Sequence, residues 1–352
     1  MKAQVGQRIR SARMLAGLSL RELSHSLEGI VSHNAIAKYE NGGMMPDGKV
    51  LNALSRVLGV DTGYFLRPQI VEISHIEFRK RSNLSQKKVN SIKEKIRDNI
   101  ERYIELESFL NIPSSFQNPI RDFLIRKPED VETAVERLLH EWDLGSNCLP
   151  NVVEMLEDKE VKVVEIDEDD QFDGLSGWAN ETIPVIVINK NFSVERKRFT
   201  ALHELGHLLL NTKESEFSPK EIEKICHRFA GAMLLPKATL LTELGGKRNS
   251  VSINELVSIK ESYGISIQAI MARAKDLAII REDRYISFRM WVSQSENRKK
   301  EIGFGEYRGS EHSSRFRQLL YRATAEEIIS MSKAASLCNI KLAEFREEFM
   351  AL

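Results

Sequence analysis

No run in this chain is apolar over the roughly 20 residues that a bilayer-spanning helix needs, so a helical membrane protein is excluded at the outset. Cysteine is scarce too. Cys148, Cys226 and Cys338 lie far apart and form no C-x-x-C pair, so they read as reduced thiols of a cytoplasmic protein. The opening segment, Met1–Arg10, lacks the apolar core of a signal peptide and carries its charges in a different pattern. Net charge is absent as well, with 51 Lys and Arg against 51 Asp and Glu. What remains is 29% charged and 42% hydrophobic residues, the make-up of a soluble globular chain. Its 352 residues allow two or three domains, each with a core of its own.

The zero balance hides segregation. Residues 1–66 carry eight Lys and Arg against five Asp and Glu, and residues 76–102 carry nine against four. Residues 128–190 carry four against seventeen, a balance of −13. A basic front and an acidic middle imply that only the front of the chain meets a polyanion.

The feature with the most chemistry is His203-Glu204-Leu205-Gly206-His207, an H-E-x-x-H run within the apolar, helix-like segment Phe199–Leu210. Residues four apart share one face of a helix, so both imidazoles can reach one ion while Glu204 stays beside it. Two neutral His ligands, an open position for water and a carboxylate to take its proton are the parts of a zinc hydrolase. A third ligand is still needed, and in catalytic sites it is often a carboxylate from a neighbouring helix. Glu214, Glu216, Glu221 and Glu223 all lie downstream.

Residues 1–66 read as five short helices. Val5, Ile9, Ala12 and Ala16 give the first an apolar spacing that Gly17 ends. Ser19-Leu-Arg-Glu22 is a capping box for the second, and Ser32 caps a third whose buried side holds Ala35, Ile36 and Tyr39. Lys49–Leu58 and Asp61–Leu66 complete the set. Through Ser32–Gly42, Pro46 and the closing Leu58-Gly-Val-Asp61, this segment resembles the Xre/Cro-like repressor family. The resemblance implies a helix-turn-helix domain whose third helix enters the major groove of double-stranded operator DNA. Ser32, His33, Asn34, Ala37 and Lys38 would then lie at the DNA, Asn34 on a base edge and Lys38 or Arg21 on phosphate. One departure is plain: the stretch from Leu23 to Ser32 is about two residues longer than the family's usual turn.

Residues 67–127 read as a helical linker, with one long helix over Leu84–Leu110 that is Lys-rich at its start and apolar around Ile100, Tyr103, Ile104 and Leu106. From residue 128 the order is two helices (Pro128–Trp142, Pro150–Asp158) and two strands (Val161–Ile166, Ile183–Ile188), followed by the metal-motif helix. Further helices are expected over Pro219–Leu235, Asn254–Tyr263, Ile267–Ala278, Arg315–Ala325 and Glu326–Leu337. Residues 281–352 form a helical C-terminal region without a chemical motif. The expected fold class is α+β, mainly α: a five-helix N-terminal domain, a helical linker and a zincin-like domain with a small sheet over 128–280.

The two stretches Arg198–His207 and Glu223–Pro236 together resemble the ImmA/IrrE family of metallopeptidases. That resemblance makes Glu223 the third ligand beside His203 and His207, with one Zn2+ per chain and Glu204 as the catalytic base. His227 stands where the family more often has Asn or Asp, and a group there would orient a ligand imidazole through its outer nitrogen. Cys226 is a small buried residue. The implied function is a cytoplasmic, DNA-binding transcriptional regulator, a homodimer, whose zinc endopeptidase cuts a specific regulatory protein. The competing expectation is a repressor or antitoxin of a toxin–antitoxin or prophage locus, partnered by a cognate toxin, with a structural or weakly active metal site.

Overall fold

The computed structural model of the chain describes residues 1–74, 85–113 and 115–350. Contacts divide the chain into two compact units. One is Met1–Ser114 with Ala179–Glu181 and Ser314–Leu352, and the other is Ser115–Trp178 with Thr182–Ser313. The expected 281–352 region is therefore shared between the two.

The first unit opens with α1 (Lys2–Leu15), α2 (Leu20–Ser26), α3 (His33–Glu40) and α4 (Gly48–Leu58). The capping box forms as expected: Glu22 N–H donates to Ser19 Oγ, and Ser19 N–H donates to the Glu22 carboxylate. Ser32, Asp47 and Gly59 bound the next helices, Gly59 in the left-handed region at φ 67°. Val5, Ile9, Ala12, Leu23, Ile36, Leu54 and Phe65 build one core. Ala16 is exposed, because α1 ends one residue before it. The expected fifth helix is a 3-10 turn over Thr62–Leu66, since the Asp61 carboxylate accepts from Gly63 N–H and tightens the start. A two-residue strand, β1 (Ile73–Ser74), precedes the long α5 (Gln86–Phe109), which Ser85 caps. Its expected start at Leu84 lies outside the described residues. A buried ion pair, Arg8 Nη1 to Glu101 Oε2 at 2.6 Å, ties α1 to α5.

The second unit begins with α6 (Asp130–Glu141) and α7 (Val152–Asp158), followed by β2 (Lys162–Ile166), β3 (Gly174–Ala179) and β4 (Ile183–Asn189). In sheet order β4 lies between β3 and β2. β2 runs parallel to β4, with Lys162 opposite Val185 and Ile166 opposite Asn189. Every residue of β4 is buried, which accounts for its unbroken apolar run. The metal-motif helix α8 (Val194–Leu209) and α9 (Pro219–Leu234) come next. They are followed by α10 (Lys237–Leu244), α11 (Ile253–Tyr263), α12 (Ile267–Asp276), α13 (Glu282–Ser293) and the short α14 (Glu296–Lys299). Val135, Leu138, Ile186, Leu202, Leu205, Phe229 and Ile270 meet in its core, so the apolar side of α8 faces inward.

The chain closes in the first unit with α15 (Arg315–Ala325), α16 (Met331–Cys338) and α17 (Leu342–Phe349). Leu320, Leu337 and Phe345 pack with Leu106 of α5. The helix expected over Glu326–Leu337 starts only at Met331. Glu327 has φ 55° and Ser330 accepts from Lys333 N–H, so a turn and a new cap displace its first five residues. The mainly helical α+β class expected from the sequence is what forms.

Candidate metal centre and DNA interface

Ser193 caps α8 by accepting from Arg196 N–H, which sets the phase of the helix ten residues before His203. His203 and Glu204 are both buried, and the His203 and His207 ring centroids lie 5.0 Å apart. Ser218 and Glu221 form a capping box that starts α9. Glu221 is thereby occupied with the cap, which lowers its pKa, and Glu223 is the carboxylate left pointing at α8. Glu223 Oε2 comes to 3.5 Å from His203 Nε2.

Two structural features let α9 and β3 come this close to α8. A Cβ added at Gly206 would lie 3.2 Å from Phe229 Cδ1 and 3.4 Å from Cys226 Cα, tighter than ordinary packing. One added at Gly174 would lie 2.6 Å from Thr200 Cγ2 and 2.8 Å from the Val187 carbonyl oxygen. On its other side α9 is anchored by charge. Arg273 of α12 donates to both carboxylate oxygens of Glu132 on α6, at 2.6 and 3.0 Å, and Arg228 of α9 donates to the first at 3.0 Å.

Among the described residues one group of ligand-type side chains brings one atom each to within 4.8 Å of the others: His203, Glu223 and His227. Two ligands of a tetrahedral zinc at about 2.0–2.2 Å would sit roughly 3.3–3.5 Å apart, so the His203–Glu223 spacing fits a shared ion. Imidazoles with one carboxylate are also the donor set that suits zinc. His207 lies outside that group, with its Nδ1 3.4 Å from Cys226 Sγ. The neighbour at the outer nitrogen of this imidazole is thus Cys226. His227 instead places its Nδ1 2.7 Å from the backbone carbonyl of Glu223. Its ring stands 4.3 Å from that of His203 and is stacked on Phe199 at 5.9 Å.

Ser176, on β3, donates its hydroxyl to Glu204 Oε2 at 2.8 Å in a buried setting. The sequence offers Asp173–Ala179 as a candidate edge strand but does not pair this serine with Glu204, which it meets through the packing of β3 on α8. A second unforeseen partner is Glu311. Arg198, one turn before Leu202 on α8, is fully buried and donates from Nη1 to Glu311 Oε2 at 3.0 Å. It also donates to the Leu149 carbonyl (2.7 Å) and the Gly264 carbonyl (3.2 Å), and lies 4.7 Å from the Tyr307 ring.

In the first unit, His33, Asn34 and Lys38 are exposed along α3, Ala37 is half-buried beside them, and Arg21 is exposed on α2. Ser32 Oγ accepts from Ala35 N–H, so this residue serves first as a helix cap. The lengthened turn appears as six residues between α2 and α3, with Glu28 (φ 51°) and Gly29 (φ 80°) both left-handed. Such a pair reverses the chain without disturbing the core, where Leu27 and Val31 stay buried on either side. Lys87, the first of the basic residues on α5, is paired with Glu22 of α2 at 2.8 Å, which holds the Glu22 carboxyl down to about 2.

Comparison with known families supports both ends. Residues 9–65 match the helix-turn-helix family model, from the second half of α1 into the 3-10 turn. Residues 156–275 match the model of the IrrE N-terminal-like domain, a peptidase family, from the end of α7 to α12. A search of curated proteins returns no match. The chain therefore carries the expected fusion of an Xre-like DNA-binding domain with an IrrE-like peptidase-family domain. Glu311, the partner of Arg198, lies beyond the matched residues.

Proposed function

We propose, for one chain that joins a helix-turn-helix domain to an IrrE-like peptidase domain, a DNA-binding transcriptional regulator that cuts a specific regulatory protein by zinc-dependent hydrolysis. The observation that carries this reading is the setting of Glu204. It is a buried carboxylate, held by the Ser176 hydroxyl, on the residue next to His203, whose ring is 3.5 Å from Glu223. A zinc site that only braced the fold would need ligands and no adjoining base. His203, His207 and Glu223 would hold one Zn2+, a Lewis acid able to bring the pKa of a water towards about 7. Glu204 takes the proton of the attacking water and delivers it to the leaving amine. Ser176 fixes the orientation of the Glu204 carboxylate.

A second reading, a repressor or antitoxin of a toxin–antitoxin or prophage locus with a structural or weakly active metal site and a cognate toxin as partner, is favoured by His227. That ring offers one more donor beside the expected three, and a site filled by protein ligands leaves no room for water. One experiment separates the two. The purified zinc-loaded chain, mixed with an extract of its host, is expected to shorten one or a few proteins, and a chelator is expected to prevent it. An extract that emerges unchanged in both arms would leave the repressor reading standing.

On the DNA side we propose a cytoplasmic homodimer that places α3 of each copy in the major groove of a two-half-site operator. Asn34→Ala is expected to relax base preference at one position, at about 1–3 kcal/mol for the preferred base. Lys38→Ala is expected to weaken all sequences alike and to lower the slope of log affinity against log salt by about 1. Binding to sites selected from random DNA, measured across a salt series, checks both. Unchanged affinity, sequence preference and salt slope in both variants would take α3 out of the groove.

A further inference from the structure

We propose that His227 is itself a ligand of the metal ion, taking a coordination position that the three-ligand scheme leaves open. The inference rests on the zinc reading above and adds a residue to it. His227 lies one turn after Glu223 on α9, so the two share a face. One donor atom from each of His203, Glu223 and His227 falls within 4.8 Å of the other two, near enough for small side-chain rotations to bring all three onto one ion.

Two further observations fit a ligand better than an orienting group. A carbonyl oxygen only accepts, so the 2.7 Å contact of His227 Nδ1 with the Glu223 carbonyl makes Nδ1 the protonated nitrogen. A neutral His227 then carries its lone pair on Nε2, the form a metal requires. This is the outer-nitrogen hydrogen bond that fixes the tautomer of metal-bound histidines, made to the helix's own backbone. The ring is also held in place: although solvent-exposed, it sits between Phe199, on which it stacks, and His203, 4.3 Å away. An exposed histidine with no such role would be expected to project into water. Four protein ligands would fill a tetrahedral zinc, so peptide cleavage would need His227 to leave or the ion to accept a fifth ligand.

X-ray absorption at the zinc edge, which counts imidazoles by their multiple scattering, tests this on the full zinc-loaded chain. His227→Asn and His227→Gln are both expected to lose one imidazole relative to the parent and to bind zinc at least about tenfold more weakly. Asn can keep a hydrogen bond to a neighbouring ring, so a purely orienting role would survive in that variant with its imidazole count intact. His207→Asn serves as the comparison, and loss of one imidazole there too would put His207 and His227 on the ion together. An unchanged count in both His227 variants overturns the proposal and leaves the zinc reading in place. A parent chain that takes up no zinc would overturn the zinc reading itself.

Discussion

Glu204→Gln is expected to lower peptide cleavage by about two to four orders of magnitude, the usual contribution of a placed general base, without loss of zinc. Glutamine keeps the size of the side chain, and its amide oxygen can still accept from Ser176. What it cannot do is take a proton from the attacking water. His203→Ala should behave in the opposite way, because it deletes a nitrogen 3.5 Å from Glu223. Changes that touch only the surroundings of a metal ligand weaken binding about 10–100-fold, so loss of the ligand itself should exceed that range. Metal analysis of the purified variants and a comparison of the host proteome check the pair. A substrate protein should accumulate with Glu204→Gln. If cleavage proceeds at the parental rate in that variant, Glu204 has no part in the chemistry.

The second large effect concerns stability. Arg198→Ala is expected to destabilise the second unit by about 3–5 kcal/mol near neutral pH, because it strands a buried carboxylate. Glu311 is wholly buried, and burial pushes its carboxyl above the ordinary range while the Arg198 guanidinium pulls it back. Its Oε1 still accepts from Val153 N–H at 2.6 Å, which cannot replace a full charge. The pH dependence has a definite sign. With a folded pKa above the unfolded one, the folded state binds more protons between the two values, so stability falls as pH rises through the folded pKa. Without Arg198 the carboxyl moves further up, so the deficit of the variant should shrink on acidification as Glu311 becomes neutral. Trp142, Trp178 and Trp291 all lie in the second unit, so urea unfolding followed by tryptophan fluorescence reports on it directly. A deficit under 1 kcal/mol that does not change with pH would mean the pair contributes little.

Much of this molecule was legible from short-range rules. The capping residues Ser19 and Ser32 start helices where expected, because a cap acts on an N–H only two or three positions away. The spacing of His203 and His207 places them on one helix, as one turn of α8 requires. Where such rules compete the reading slipped: Asp61 drew its segment into a 3-10 turn, and Ser330 restarted a helix expected to begin at Glu326. Helix α10 is not expected from the sequence, and α13, α14 and α17 fall within the 281–352 region, which is expected to be helical but without bounds for these helices. On α13 the exposed Ile286 and Met290 blur the apolar periodicity that would have marked it.

The sequence by itself determined the two domain types and the residue types of the candidate centre, since both are written in motifs of a few consecutive residues. The tertiary structure decided which of those residues meet. Glu223 reaches His203 because Gly206 lets α9 approach α8. Cys226 stands at His207, and the ring of His227 turns towards His203. Ser176 finds Glu204 across 28 residues, and Glu311 finds Arg198 across 113. Such pairings depend on how helices and a sheet pack, and side-chain periodicity within one element carries no information about the partner it will face.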